Sequence, residues 1–188
     1  VTSTLRTLAV AAASAALLIT LAACSSPSPD PTSTPSTPSA SAEASVAVAS
    51  ACEGDEGVTV VVDASALGDA DDVSATWCVS ADETIGASDA LLAAQIETEG
   101  TDQYGDQVVC RVNGVPAEDE AIPAEDGSDY FEKCESMPAA FAYWSLWVKP
   151  AGGEWGYAQE GLSTQQLEPG DAVELLFTLN GEPAAPAS

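Results

Sequence analysis

The sequence predicts an α+β domain in which one helix covers one face of a mainly antiparallel β sheet. Three observations carry this. Between about Ala51 and Asn180 the apolar residues recur mostly with the two-residue period of strands. One segment alone has helical spacing with both a start and a stop signal. Two strands precede that segment and several follow it, which is an α+β order.

The first strand is the β-branched run Val58-Thr59-Val60-Val61-Val62. After the turn-rich Leu67-Gly68-Asp69-Ala70-Asp71-Asp72 comes strict alternation, with Val73, Ala75, Trp77 and Val79 set against Ser74, Thr76, Cys78 and Ser80. These two segments form a hairpin. Ser88 then offers an N-cap and Asp89 favours the helix dipole. Leu91, Leu92 and Ile96 form the apolar face, and Gly100 gives the stop. Gln107 to Val112 reads as a strand ended by Asn113-Gly114, and Phe141 to Val148 as a strand with aromatics on both faces. Pro150, Gly152 and Gly153 turn the chain back into Glu154 to Ala158. Pro169-Gly170-Asp171 introduces the last strand, Ala172 to Leu179, and residues 181–188 read as a disordered tail.

Ahead of this domain lies an export signal. Leu8 to Ala23 is almost wholly apolar, follows a single basic residue at Arg6, and ends in Leu21-Ala22-Ala23-Cys24. The run is too short and too weakly flanked for a permanent span, which needs about 20 apolar residues. It resembles a bacterial lipobox, whose cysteine becomes the first mature residue and carries acyl chains. An ordinary cleavable secretory peptide would export the chain equally. Residues 1–23 are thus read as a lipoprotein signal peptide, Cys24 as the lipidation site, and the extracytoplasmic face of the cell membrane as the location. Behind Cys24, from Ser25 to about Ser50, the composition shifts to Ser, Pro, Thr and Ala, so residues 24–50 read as the lipidated cysteine and a disordered tether. In polyproline II geometry its roughly 26 residues reach roughly 80 Å.

Charge narrows the partners. The net charge is −26, from four Lys+Arg against 30 Asp+Glu, and removing Arg6 with the signal leaves −27. Such a chain repels phosphate backbones, so nucleic acid is set aside as a partner. Anionic headgroups repel it too, and contact with the bilayer then falls to acyl chains on Cys24. The chain has no histidine. Ser-His-Asp triads, Cys-His dyads and mixed Cys/His zinc sites are excluded for that reason.

Cys52, Cys78, Cys110 and Cys134 are an even set in an oxidising compartment and read as two disulfides. Three connectivities are open. Pairing Cys110 with Cys134 would staple the acidic loop in which Pro-Ala-Glu-Asp occurs at Pro116 and again at Pro123, and pairing Cys52 with Cys78 would tie the domain's entry to its second strand. The loop acids Glu118, Asp119, Glu120, Glu125, Asp126 and Asp129, with Asp69, Asp71 and Asp72, lack the ligand spacing of a calcium loop and read as solvated. No carboxylate pair is marked for acid-base hydrolysis. No metal site and no catalytic residue is expected.

The aromatics are the remaining signal. Phe141-Ala142-Tyr143-Trp144-Ser145-Leu146-Trp147, with Trp155-Gly156-Tyr157, hold three of the four tryptophans. On a strand either Phe141, Tyr143 and Trp147 or Ala142, Trp144, Leu146 and Val148 must face the core, leaving the other set to cover something else. Large aromatics on a second face suit a flat ligand or a partner protein.

Thr84-Ile85-Gly86-Ala87-Ser88-Asp89-Ala90-Leu91, Val109-Cys110-Arg111-Val112-Asn113-Gly114-Val115-Pro116, Cys134, Tyr143-Trp144-Ser145-Leu146-Trp147, Trp155-Gly156-Tyr157-Ala158 and Pro169-Gly170-Asp171 follow one another in a family's order. In this the chain resembles the transcobalamin-like C-terminal domain, in its bacterial lipoprotein branch, a domain of unknown function. The resemblance implies a β-grasp-like fold that binds a soluble ligand without catalysis and without a cofactor, and it supports the Cys110–Cys134 pairing. It also implies a stacking surface of Tyr143, Trp147, Trp155 and Tyr157, with Trp144 left to the core. Two departures stand out: there is no helical barrel to enclose a corrin, and the acidic insertion after Pro116 lies outside the shared pattern. The expected function is capture of a small molecule such as a corrinoid at the cell surface, for presentation to a membrane transporter. The alternative is an extracellular protein-interaction or inhibitor module with no small-molecule ligand.

Overall fold

A computed structural model describes residues 46–68, 70 and 72–187. The signal peptide, Cys24, the tether through residue 45, and Asp69 and Asp71 of the hairpin turn lie outside the described residues.

The chain is mixed α+β, mostly sheet, with one α-helix among the described residues. In order it forms β1 (Ala47–Val48), β2 (Gly57–Asp63), β3 (Ala75–Ser80), β4 (Ile85–Gly86), α1 (Ala87–Ala93), β5 (Thr98–Thr101) and β6 (Gly105–Val112). There follow β7 (Ile122–Pro123), β8 (Asp129–Tyr130), β9 (Ala142–Lys149), β10 (Gly156–Tyr157), β11 (Gln166–Leu167) and β12 (Ala172–Leu179). The main sheet has the order β1-β3-β2-β12-β9-β10, and β4 with β11, β5 with β6, and β7 with β8 form two-stranded ribbons. Only β2 and β12 run parallel; every other pair is antiparallel.

Period two decides which face is the core. Val58, Val60 and Val62 of β2, Val173, Leu175 and Phe177 of β12, and Ala142 and Trp144 of β9 point to one side. Helix α1 brings Ala87, Ala90 and Leu91 to that side, and β6 brings Val109 and Val112. Trp144 lies directly opposite Phe177 in register, and their rings meet edge-on at 5.3 Å. The indole N–H donates to the Val115 carbonyl at 3.0 Å, so Trp144 is a core residue with its polar atom satisfied.

Both disulfides form as the loop argument favours, Cys52–Cys78 and Cys110–Cys134, with Cα separations of 4.6 and 5.6 Å. The β2–β3 hairpin, the strand before Asn113-Gly114 and the last strand also lie where the sequence places them.

The helix differs. It was expected to run from a Ser88 cap to a Gly100 stop, yet it occupies Ala87–Ala93 behind Gly86, with no side-chain cap. Gln95 stops it. With φ of 59° Gln95 takes the left-handed position, its N–H donating to Leu92 O and the Ile96 N–H to Leu91 O, the paired bonds of a Schellman motif. Ile96 is buried beyond the helix, while Leu92, expected on the apolar face, is 73% exposed. Gly100 belongs to β5, where a Cβ would collide with the backbone of Gly105. The boundary of the tether moves as well, because Ala47 and Val48 pair with Val79 and Cys78 at the sheet edge. Past Asn180, Glu182 bridges back to Leu179 and the Thr178 hydroxyl donates to the Pro183 carbonyl.

Candidate functional site

The second face of the sheet is built by the residues that alternate with the core set. On β9 these are Tyr143, Ser145, Trp147 and Lys149, and on β12 they are Ala172, Glu174, Leu176 and Thr178. On β10, Tyr157 stands opposite Trp147, and Trp155 precedes the strand beside Lys149.

Trp147 is fixed along its own strand. Its Nε1–H donates to Ser145 Oγ at 2.9 Å, and that hydroxyl donates to the Leu176 carbonyl at 3.0 Å. Tyr157 stacks over it, ring centroids 3.9 Å apart and planes 28° from parallel. Trp147 is thereby only 6% exposed, whereas the covering Tyr157 is 52% exposed. Burial raises the Tyr157 pKa, and a hydrogen bond with Tyr143 and its charge raise it further. Trp155 lies at the hairpin end, with the Lys149 ammonium 5.8 Å from its ring centroid.

The structure therefore brings Tyr143, Trp147 and Tyr157 together and sets Trp155 beside them on the same face. Phe141, grouped by alternation with Tyr143, instead meets Tyr130 edge-on at 5.5 Å against the core. Tyr157 also lines two clefts, neither of which is lined by Trp147 or Glu174. One of about 290 Å³ runs along Tyr143, Val109, Met137 and Leu162; the other, of about 500 Å³, lies among Val148, Pro150, Glu154 and Gln165. Glu160 reaches both.

Glu174 is a residue that sequence reasoning missed on this face. It sits directly opposite Trp147 in register and is 4% exposed. No group among the described residues hydrogen-bonds its carboxyl. Burial, reinforced by the charge of Asp63, pushes its pKa up to about 7. The signal was available: Glu174 is the single charge in Ala-Val-Glu-Leu-Leu-Phe-Thr-Leu.

The acidic loop is organised differently. Arg111 is buried, with Nε donating to Pro116 O, Nη1 to Glu99 and Nη2 to Glu132 O, all within 2.8 Å. The Glu132 carboxylate accepts the Cys134 N–H and the Tyr130 hydroxyl, each at 2.7 Å. Burial, then that hydrogen bond and charge, pushes the Tyr130 pKa up to about 12. Glu120 and Asp126 bind backbone N–H groups of their own loop, and Ser128 holds the Asp126 carboxyl below its usual range. Among the described residues the one grouping of metal-ligand types is Glu99 with Cys110 and Cys134, whose sulfurs are bonded to each other and whose carboxylate pairs with Arg111. No helix of the described residues is long and apolar enough to cross a membrane.

No protein-family model matches the chain, and neither a curated protein nor a solved structure shows significant similarity to it.

Proposed function

We propose that this chain is a membrane-tethered ligand-capture domain that works without catalysis. One observation carries the reading: the indole of Trp147 stands on the sheet face away from the core, stacked under the half-exposed ring of Tyr157. A core needs no such stack. A flat molecule in place of Tyr157 would find the Trp147 ring as an aromatic wall, and Tyr157 itself lines two clefts. A corrinoid is one ligand of that shape. Acyl chains on Cys24 would hold the domain at the membrane, where a transporter would receive the ligand.

The strand order supports a β-grasp reading of the sheet. The first and last long strands, β2 and β12, lie side by side and parallel at its centre, β3 and β9 flank them antiparallel, and the helix falls in the crossover between the two hairpins.

Titration of tryptophan fluorescence with a panel of corrinoids and flavins tests the function. Saturable quenching that Trp147→Ala removes is the expected result, and no quenching by any of them would overturn it. The competing reading, a protein-interaction module, is favoured by an apolar groove of about 360 Å³ at Met137, Pro138, Ala139 and Tyr143, whose Met137 is 59% exposed. Pull-down of a partner by the wild-type domain, lost in Met137→Glu and kept in Trp147→Ala, would establish it instead.

A further inference from the structure

We infer that the free edge of β9 takes up an extended segment of another protein as an added strand, a segment with apolar residues at alternate positions and Lys or Arg at its ends. The site is the cleft between β9 and β6. It is separate from capture of a flat ligand on the Trp147 indole, which does not line this cleft.

One side of β9 is paired along its whole length and the other is not. β12 meets every residue from Ala142 to Lys149, whereas β10 meets only Trp147 and Val148. In an antiparallel pair the backbone groups of successive residues point alternately toward and away from the partner strand. The Phe141 carbonyl accepts the Asn180 N–H from the β12 side, and the Leu146 carbonyl accepts the Ala158 N–H from the β10 side. By that alternation the N–H and C=O of Trp144 point away from β12, and no backbone group among the described residues pairs with them there. A strand laid along this edge would complete them.

The cleft has the outline of a missing strand. A cavity over a sheet face touches alternate residues, whereas one along a sheet edge touches consecutive ones. Residues 143–146 of β9 and 107–109 of β6 line one cleft of about 290 Å³. A second, of about 360 Å³, shares Val108, Met137, Tyr143 and Trp144 with it and continues past Pro138. β6 has a ladder partner in β5 alone. The walls carry apolar side chains for alternate residues of a guest, among them Val108, Leu146, Leu162 and the 59% exposed Met137.

Charge and sequence select the guest. Residues 27–38 of this chain hold five prolines, which lack the N–H that a ladder needs. Residues 39–45 enter at β1, on the far side of β3, β2 and β12 from β9, so their length would be consumed in crossing about 19 Å of sheet. A second copy would bring a net charge of −26 against the same charge. A basic segment gains where that copy loses, because no Lys or Arg lines either cleft and Glu160 stands on the wall.

The end-blocked peptide Lys-Val-Thr-Val-Thr-Val-Lys, titrated into the full chain at low ionic strength, is the probe, with calorimetry and amide hydrogen exchange as readouts. Saturable binding is expected, and at saturation the Trp144 amide should exchange at least tenfold more slowly. Glutamate in place of both peptide lysines should weaken binding at least tenfold. Methylation of alternate peptide nitrogens, in one of the two phases, should abolish it. Val108→Lys should also weaken it at least tenfold with the circular dichroism spectrum unchanged, and Met137→Glu keeps the question decidable if Val108→Lys does not fold. No binding, binding indifferent to methylation in both phases, or a Trp144 amide that the peptide does not slow overturns the inference. A dimer in sedimentation that Val108→Lys dissociates would give the edge to a second copy and overturn it too. If the peptide binds while no corrinoid or flavin does, strand addition stands and ligand capture falls; the opposite result reverses the two.

Discussion

Glu132 and Glu174 are buried to the same degree, 5% and 4% exposed, and the molecule treats them in opposite ways. Glu132 lies in a closed polar network in which its carboxylate takes the Cys134 N–H and the Tyr130 hydroxyl while its carbonyl takes Arg111. Glu174 lies on an aromatic sheet face with Asp63 as its charged neighbour and no donor among the described residues. A buried carboxylate with a donor on each oxygen is architecture, because much of its desolvation is offset where it stands. One on which no donor falls is held by burial toward its neutral form, so the cost of the site falls on its charge.

The brace is where that contrast breaks most severely. Arg111→Ala leaves the Pro116 and Glu132 carbonyls without their donor and should destabilise the domain by about 3–5 kcal/mol in urea unfolding. A loss below about 1 kcal/mol would mean that the loop does not depend on the guanidinium. Replacing Cys110 and Cys134 together with alanine should cost about 3 kcal/mol, since the bond closes a loop of 24 residues' separation. Both changes should leave the Trp147–Tyr157 stack intact, as seen by tryptophan emission, because the stack shares none of these groups.

Glu174→Gln should act in the other direction. The folded pKa of Glu174, about 7, lies above the ordinary carboxyl value of 4.5, so the folded protein retains a proton that the unfolded chain releases. This contribution is full below about pH 4.5 and is lost as pH rises through about 7. At pH 8 the variant should be more stable than the wild type by on the order of 2 kcal/mol, and at pH 4 the two should coincide. Urea midpoints at the two pH values measure it. A wild type whose stability rises between pH 5 and pH 8 relative to the variant would reverse the assignment.

Much of the fold was legible because local signals and burial agree. The last strand is introduced by Pro169-Gly170-Asp171 and is buried on both sides, as expected of a strand at the centre of a sheet. Alternation placed Trp144 and Trp147 on opposite faces but left open which face was the core; Trp144 was given to the core by the resemblance. The helix end was not legible, since Gln95 adopts a left-handed conformation usually given to glycine, and Gly100 meets a close backbone approach in β5 instead of ending a helix. Residues Ala47 and Val48 carry no turn or period that separates them from the tether; only their partners in β3 do. At the site, the four aromatics were legible as a group, but the cover of Trp147 by Tyr157 depends on hairpin register, which a residue list does not contain. Arg111 and Glu174 were missed for one reason. Average acidity hides which few charges are buried.

Two tyrosines sharpen the comparison at its smallest scale. Tyr130 gives its hydroxyl to Glu132 at 2.7 Å, so Tyr130→Phe removes a charge-assisted hydrogen bond and should cost about 1 kcal/mol. Tyr157 is half-exposed, and Tyr157→Phe keeps the ring over Trp147, so it should change stability by less than about 0.5 kcal/mol. In ultraviolet titration the Tyr130 phenol should ionise near pH 12, and Glu132→Gln should lower that midpoint by removing the facing charge while burial, the larger cause, keeps it above the ordinary value. Glu174→Gln should not move it, because Tyr130 answers to the loop network alone. A Tyr130 midpoint that follows Glu174 would join the two regions electrostatically and remove the basis for treating them as independent.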